Sequence, residues 1–153
     1  MWVSLAIVTS ILLLLGGFLF LHRHKSPFSP GLSKEAGFTV YYPSGLPHGW
    51  RIRAGSAHID RGIVFFTVDS PKGTIVVSEQ AVPASFDFAA FYQNGLQSTN
   101  QFSTPLGQAA VGKRADNQAV GSLVTDSTWI LASPDSSSID SSFIMTLFRS
   151  FTL

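Results

Sequence analysis

Cysteine is absent from this chain of 153 residues, and charge is scarce, with Asp, Glu, Lys and Arg making up 12%. The first absence excludes disulfides, thiol chemistry, Cys-ligated metal and a lipoprotein anchor. It leaves the compartment open, since exported domains often lack cysteine too. The second absence is balanced, ten Lys and Arg against nine Asp and Glu. Such a chain has no electrostatic footprint for nucleic acid, and no nucleic-acid partner is expected. Arg23 and Lys25 fall far short of a polybasic lipid-binding cluster. No Gly-x-Ser-x-Gly elbow, P-loop, dinucleotide fingerprint or His-Glu-x-x-His motif occurs. The sequence therefore nominates no catalytic residue, no metal site and no cofactor.

Charge is missing most completely from Trp2–Leu21, twenty residues without an ionisable side chain. At about 1.5 Å per residue, a helix of that length spans a hydrocarbon core of about 30 Å. Ser4, Thr9 and Ser10 can bond back to their own helix, and Gly16 and Gly17 are tolerated there. The expectation is one transmembrane helix over residues 2–21, with the lipid bilayer as partner. A cleaved signal peptide is the alternative. Its apolar core should run about 7–15 residues, after a basic start and before a small-residue cleavage site. This run is longer, no basic residue precedes it, and His22-Arg23-His24-Lys25 follows it. Those features favour an uncleaved anchor. Orientation is divided: Arg23 and Lys25 favour a cytoplasmic C-terminal part, whereas its Ser/Thr-rich, charge-poor composition favours export. The expected location is the cell membrane, single-pass, with the C-terminal domain extracytoplasmic.

Residues 22–36 read as a flexible linker, because Pro27, Pro30 and Gly31 oppose regular structure. Residues 37–153 read as one globular domain able to fold alone. Residues 38–42 are β-branched and aromatic, as in a strand. Residues 50–54 alternate, Trp50 and Ile52 to one side and Arg51 and Arg53 to the other. Residues 62–69 and 74–81, joined by Ser70-Pro71-Lys72-Gly73, predict a hairpin whose first strand is covered on both faces. Residues 85–95 predict a helix capped by Ser85 or Asp87. Its buried stripe is Phe88, Phe91, Tyr92 and Leu96, and Gly95 takes the left-handed C-terminal position. Strands are expected over 107–114, 118–126 and 128–132, with a turn at Asp116-Asn117. A closing helix begins at Ser138 and buries Ile139, Phe143, Ile144, Leu147 and Phe148. This order predicts an α+β domain, a largely antiparallel sheet with two helices packed on it, preceded by the transmembrane helix.

The densest polar group is Arg51, Arg53, His58, Asp60 and Arg61, with Trp50 beside it. It forms either an anion-binding or acid–base set or an ordinary exposed strand face running into a turn. Trp50 and the first helix's aromatics can line an apolar pocket or simply fill the core. His22 and His24 lack the further ligands a metal needs. The Asp135–Asp140 loop has too few ligands for calcium.

Gly37-Phe38-Thr39-Val40-Tyr41-Tyr42-Pro43 resembles the opening motif of PsbP-like domains, and Phe148-Arg149-Ser150-Phe151 resembles their closing helix. That resemblance implies an α/β sandwich around an antiparallel sheet. Tyr42–Trp50 is similar to the entry segment of uncharacterised bacterial domains that follow a single membrane helix outside the cytoplasm. Neither resemblance carries a catalytic residue. The anchor, the linker and the missing catalytic motifs imply a membrane-anchored, envelope-associated extracytoplasmic domain that binds a protein partner, an envelope component or a small apolar ligand. The alternatives are an accessory or assembly subunit of a membrane complex, which requires a protein partner, and a hydrolase using His58 and Asp60.

Overall fold

A computed structural model of the chain describes residues 27–151. The expected transmembrane helix and the histidines that follow it lie outside the described residues. Among the described residues no helix is long and apolar enough to cross a membrane.

The fold is α+β. Eight strands form one antiparallel sheet: β1 (Arg51–Ile52), β2 (His58–Asp60), β3 (Ile63–Ser70), β4 (Gly73–Ala81), β5 (Gln97–Thr104), β6 (Gly107–Lys113), β7 (Ala119–Val124) and β8 (Thr128–Pro134). Their spatial order is β1-β3-β4-β8-β7-β6-β5, with β2 also paired to β3. The described helices are α1 (Leu32–Ala36), α2 (Phe88–Asn94) and α3 (Ser141–Arg149). The β3–β4 hairpin matches its expected place. Ser70 and Gly73 face each other across the turn, and the Ser70 hydroxyl donates to the Gly73 carbonyl at 2.8 Å.

Period-two alternation divides the sheet into two unlike faces. On the first, Val64, Phe66, Val68, Ile75, Val77, Leu123 and Ile130 are buried. Helix α3 packs there with Ile144, Leu147 and Phe148 inward. It starts two residues later than expected from Ser138, because Asp140 is the cap, accepting from the Ser142 and Phe143 N–H groups. The close seat is Gly121 on β7, where any Cβ would collide with Ile144 and Phe148.

One nine-residue helix cannot roof an eight-stranded sheet. The rest of this face is covered by chain that the sequence assigns to a linker and a strand. Phe28 and Leu32 are buried in the core, and Phe28 lies 4.9 Å, centroid to centroid, from Phe66. The folded unit therefore begins no later than Phe28, and Pro30 and Gly31 lead into α1 rather than preventing it. Residues 38–42 are not a strand. They cross the sheet as a strap, with Phe38, Val40, Tyr41 and Tyr42 packed on the core. Only Pro43 forms a bridge, to Phe151.

The second face is less complete. Alternate residues Ile63, Phe65 and Thr67 of β3 are half-buried, so the strand is covered on one face rather than both. Helix α2 lies on this side and buries none of its own residues fully, although Leu96 just beyond it is buried. Asp87 caps α2 as expected. Gly95 is not left-handed (φ −91°) and continues the helical hydrogen bonding to the Phe91 carbonyl. Its missing side chain matters because a Cβ would sit 2.7 Å from that oxygen. Strand β5, to which the sequence assigns no element, forms one sheet edge.

Truncation checks the extended boundary. A chain starting at residue 27 should unfold cooperatively in urea. One starting at residue 37 loses two core side chains and should be less stable by at least about 3 kcal/mol, given about 2–5 kcal/mol for a large buried apolar group. Equal stabilities would show that Phe28 and Leu32 contribute nothing.

Candidate functional site

The six residues singled out by sequence do not form one site. Trp50 turns toward α3 and stacks on Phe143, with centroids 5.4 Å apart and planes at 16°. Lys72 Nζ sits 4.4 Å from the centroid of the Phe143 ring. Arg51 and Arg53 turn the other way, as their alternation predicts, and converge on Asp69 of β3. Arg53 Nη2 donates to Asp69 Oδ1 at 2.6 Å, and Arg51 Nε to Oδ2 at 3.3 Å. These hydrogen bonds, that of Arg53 foremost, hold the Asp69 carboxyl below its usual range. The two guanidiniums are thus engaged with a carboxylate of their own sheet.

His58 stands opposite Phe65, four residues along β3 from Asp69, a separation of about 13 Å at strand rise. Its ring stacks on Phe65 at 5.4 Å, and its Nδ1 lies 3.0 Å from the Ser56 carbonyl, which accepts. Asp60 and Arg61 approach each other at 3.6 Å, both exposed. Arg61 has φ 48°, consistent with its place in the β2–β3 turn.

The Asp135–Asp140 loop is used structurally. Asp135 accepts from the Thr74 N–H, and Asp140 caps α3. Among the described residues, no three His, Asp or Glu side chains converge as metal ligands would.

Two further features are of chemical interest. One is an aromatic group on the less complete face, where the first helix's aromatics gather around Trp129 and not around Trp50, which lies on the other face. Phe86, Phe88 and Phe91 surround Trp129 with ring centroids 4.6, 5.3 and 5.7 Å from it. At its base, the Ser122 hydroxyl oxygen lies 2.8 Å from the Trp129 indole N–H, which donates, and 3.1 Å from the Tyr92 hydroxyl. The polar atoms of the group are thereby turned into the sheet, and its apolar edges are left outermost. Val76 (40% exposed) and Phe86 (37%) are the exposed large apolar side chains among the described residues. Both lie on this face. Between them a row runs across three strands, Phe65, Ser78 and Leu131, all half-buried and in register. Across that row and its neighbours Thr67, Val76 and Ser133 there is no charged side chain.

The other is Glu79, fully buried on the opposite face beneath the strap. Its Oε2 accepts from the Tyr41 N–H at 2.9 Å, whereas Oε1 has no hydrogen-bond partner among the described residues. Burial pushes the carboxyl from about 4.5 up to about 8, only partly offset by the Tyr41 N–H. The signal was available in the sequence, since Glu79 follows Ile75 and Val77 on the buried register of β4.

No family model matches the chain, and no curated protein or solved structure matches it either.

Glu79 makes stability pH-dependent in a definite direction. Between about pH 4.5 and about pH 8, the folded protein keeps a proton that the unfolded chain releases. Rising pH therefore favours unfolding across that window, at about 1.4 kcal/mol per unit of pKa difference. Glu79→Gln keeps an oxygen for the Tyr41 N–H and removes the titration. Urea denaturation of the chain from residue 27 should show the native protein losing several kcal/mol from about pH 5 to about pH 8. The variant should be flatter and more stable at the upper end. Parallel pH profiles would rule out Glu79 as the source.

Proposed function

We propose that this protein is a membrane-anchored binding domain of the cell envelope. The apolar run Trp2–Leu21 serves as its anchor, and the less complete sheet face meets a protein partner held in the same membrane. The observation that carries this reading is the position of the exposed apolar groups. Val76 and Phe86 share one face, and Phe65, Leu131 and the Trp129 aromatic group extend it. The cores of protein interfaces are depleted in charge and enriched in aromatic residues, and hot spots favour Trp and Tyr within well-packed surroundings. This face has that composition, with small hydroxyls at Thr67, Ser78 and Ser133 to meet a partner's polar groups. An anchor also restricts the search for a partner to the bilayer plane and raises its effective concentration.

An accessory or assembly role in a membrane complex is the same reading with a single stoichiometric partner. The resemblance to PsbP-like domains favours that version. A hydrolase built on His58 and Asp60 is disfavoured by geometry, because His58 stacks on Phe65 and Asp60 lies beside Arg61 in an exposed turn.

Photo-crosslinking in cells tests the proposal. A photoreactive residue at position 76 or 86 should capture one discrete protein. The same residue at position 61, on the exposed β2–β3 turn, should not. Val76→Asp, placed with the probe at 86, should abolish the capture. Equal capture from positions 61, 76 and 86, or capture of lipid alone, would contradict it.

A further inference from the structure

The sheet has two edges, and they are built differently. One is made of β1, two residues, and β2, three residues, both paired to β3. It carries Arg51, Arg53, Asp60 and Arg61 and is broken between its two pieces at Gly55, where φ is 71°. Short pieces, charges and breaks are how proteins keep an edge from pairing with another chain.

The other edge is β5, Gln97–Thr104, eight residues paired only with β6 among the described residues. It has no charge and no proline. A register shift between Gln97 and Asn100 interrupts its start, with Ser98 at φ 52°. From Asn100 to Thr104 the register is regular, residue for residue. Among the described residues no strand pairs with that stretch on its outer side, which leaves a row of backbone donors and acceptors there.

We propose that Asn100–Thr104 pairs with the same stretch of a second copy of this chain. The two strands run antiparallel about a two-fold axis normal to the sheet, joining the two sheets into one. Three observations select a second copy as the occupant. An uncharged strand meets itself without placing like charges opposite each other. Its face alternation is self-consistent only when residues of the same parity oppose. Within the regular stretch, the register that uses all five residues sets Phe102 opposite Phe102, Gln101 opposite Ser103 and Asn100 opposite Thr104. Finally, the α3 side of this edge is left half-covered. Phe102 and Met145 are half-buried there, the Asn100 amide lies 3.9 Å from Met145 Sδ, and the Arg149 guanidinium lies 5.6 Å from the Phe102 ring centroid. A two-fold copy brings an identical strip against it, and a closed isologous contact of this kind does not propagate into a fibre.

Gln101 and Ser103 are exposed and face away from α3, so they report the pairing without entering the core. The test measures the mass of the full chain in detergent by light scattering with detergent correction, over a concentration series. The unmodified chain should be dimeric. Gln101→Lys with Ser103→Lys sets lysine against lysine twice across the axis and should weaken the dimer at least tenfold. Gln101→Lys with Ser103→Glu sets opposite charges together and should retain it. This second variant is also the control for folding, since it changes the same positions without the repulsion. A monomeric unmodified chain overturns the proposal. So does a double-lysine variant that dimerises as well as the unmodified chain, because the contact then lies elsewhere, the apolar run included. A folded lysine–glutamate variant that is monomeric overturns the register.

Discussion

Residues 39–41 have no strand beside them, and side chains of the sheet and of α1 bond three of their backbone groups. The Tyr41 N–H donates to buried Glu79, and the Thr39 carbonyl accepts from the Thr128 hydroxyl at 2.6 Å. The Val40 N–H donates to Ser33 of α1. This fastening decides much of the architecture. It lets an irregular segment roof the half of the buried face that α3 cannot reach, and it draws Phe28 and Leu32 into the core behind it. The carboxyl used for the purpose is poorly solvated and holds its proton far above the normal range. An apolar residue at position 79 would pack more cheaply but would leave the Tyr41 N–H unpaired under the strap, a penalty of about 1–3 kcal/mol.

The strap and α3 close one face, and among the described residues the other is covered less completely. Helix α2, seven residues, covers only the Trp129 region. The central strands beyond it remain half-buried, and Val76 and Phe86 are exposed. The two functional ideas rest on separate consequences of this arrangement. The uncovered face supports a partner in the membrane, and the unguarded β5 edge supports a second copy. They use different surfaces, so one can fail while the other stands.

Elements that bury a periodic face were legible from sequence. The β3–β4 hairpin declared itself by its apolar runs and its Pro-Lys turn, and α3 by Ile144, Leu147 and Phe148 at helical spacing. The α+β class followed from their order. Segments whose structure depends on distant partners were not legible. Residues 38–42 have strand composition, but a strap held by Glu79 and Thr128 takes the same β-branched and aromatic residues. Strand β5 is held by backbone pairing to β6 and offers a single apolar side chain, Phe102, so no alternation marks it. The polar group near β1 and β2 looked like one site because its members are close in sequence. Asp69, which commits both arginines, reaches them only through strand pairing. Trp50 leaves the group because alternation sends it to the opposite face.

The proposed function requires Trp2–Leu21 to hold this one-sided domain at the outer surface of a bilayer. The absence of cysteine makes a direct measurement available. Ala54→Cys adds a single thiol at an exposed position between β1 and β2, away from both proposed contact surfaces. The variant is expressed in cells, treated with a membrane-impermeant maleimide before and after permeabilisation, and its membranes are then extracted with alkaline carbonate. The account predicts full labelling of intact cells and retention in the carbonate-washed membrane. Labelling only after permeabilisation would place the domain on the inner side, and release by carbonate would remove the anchor.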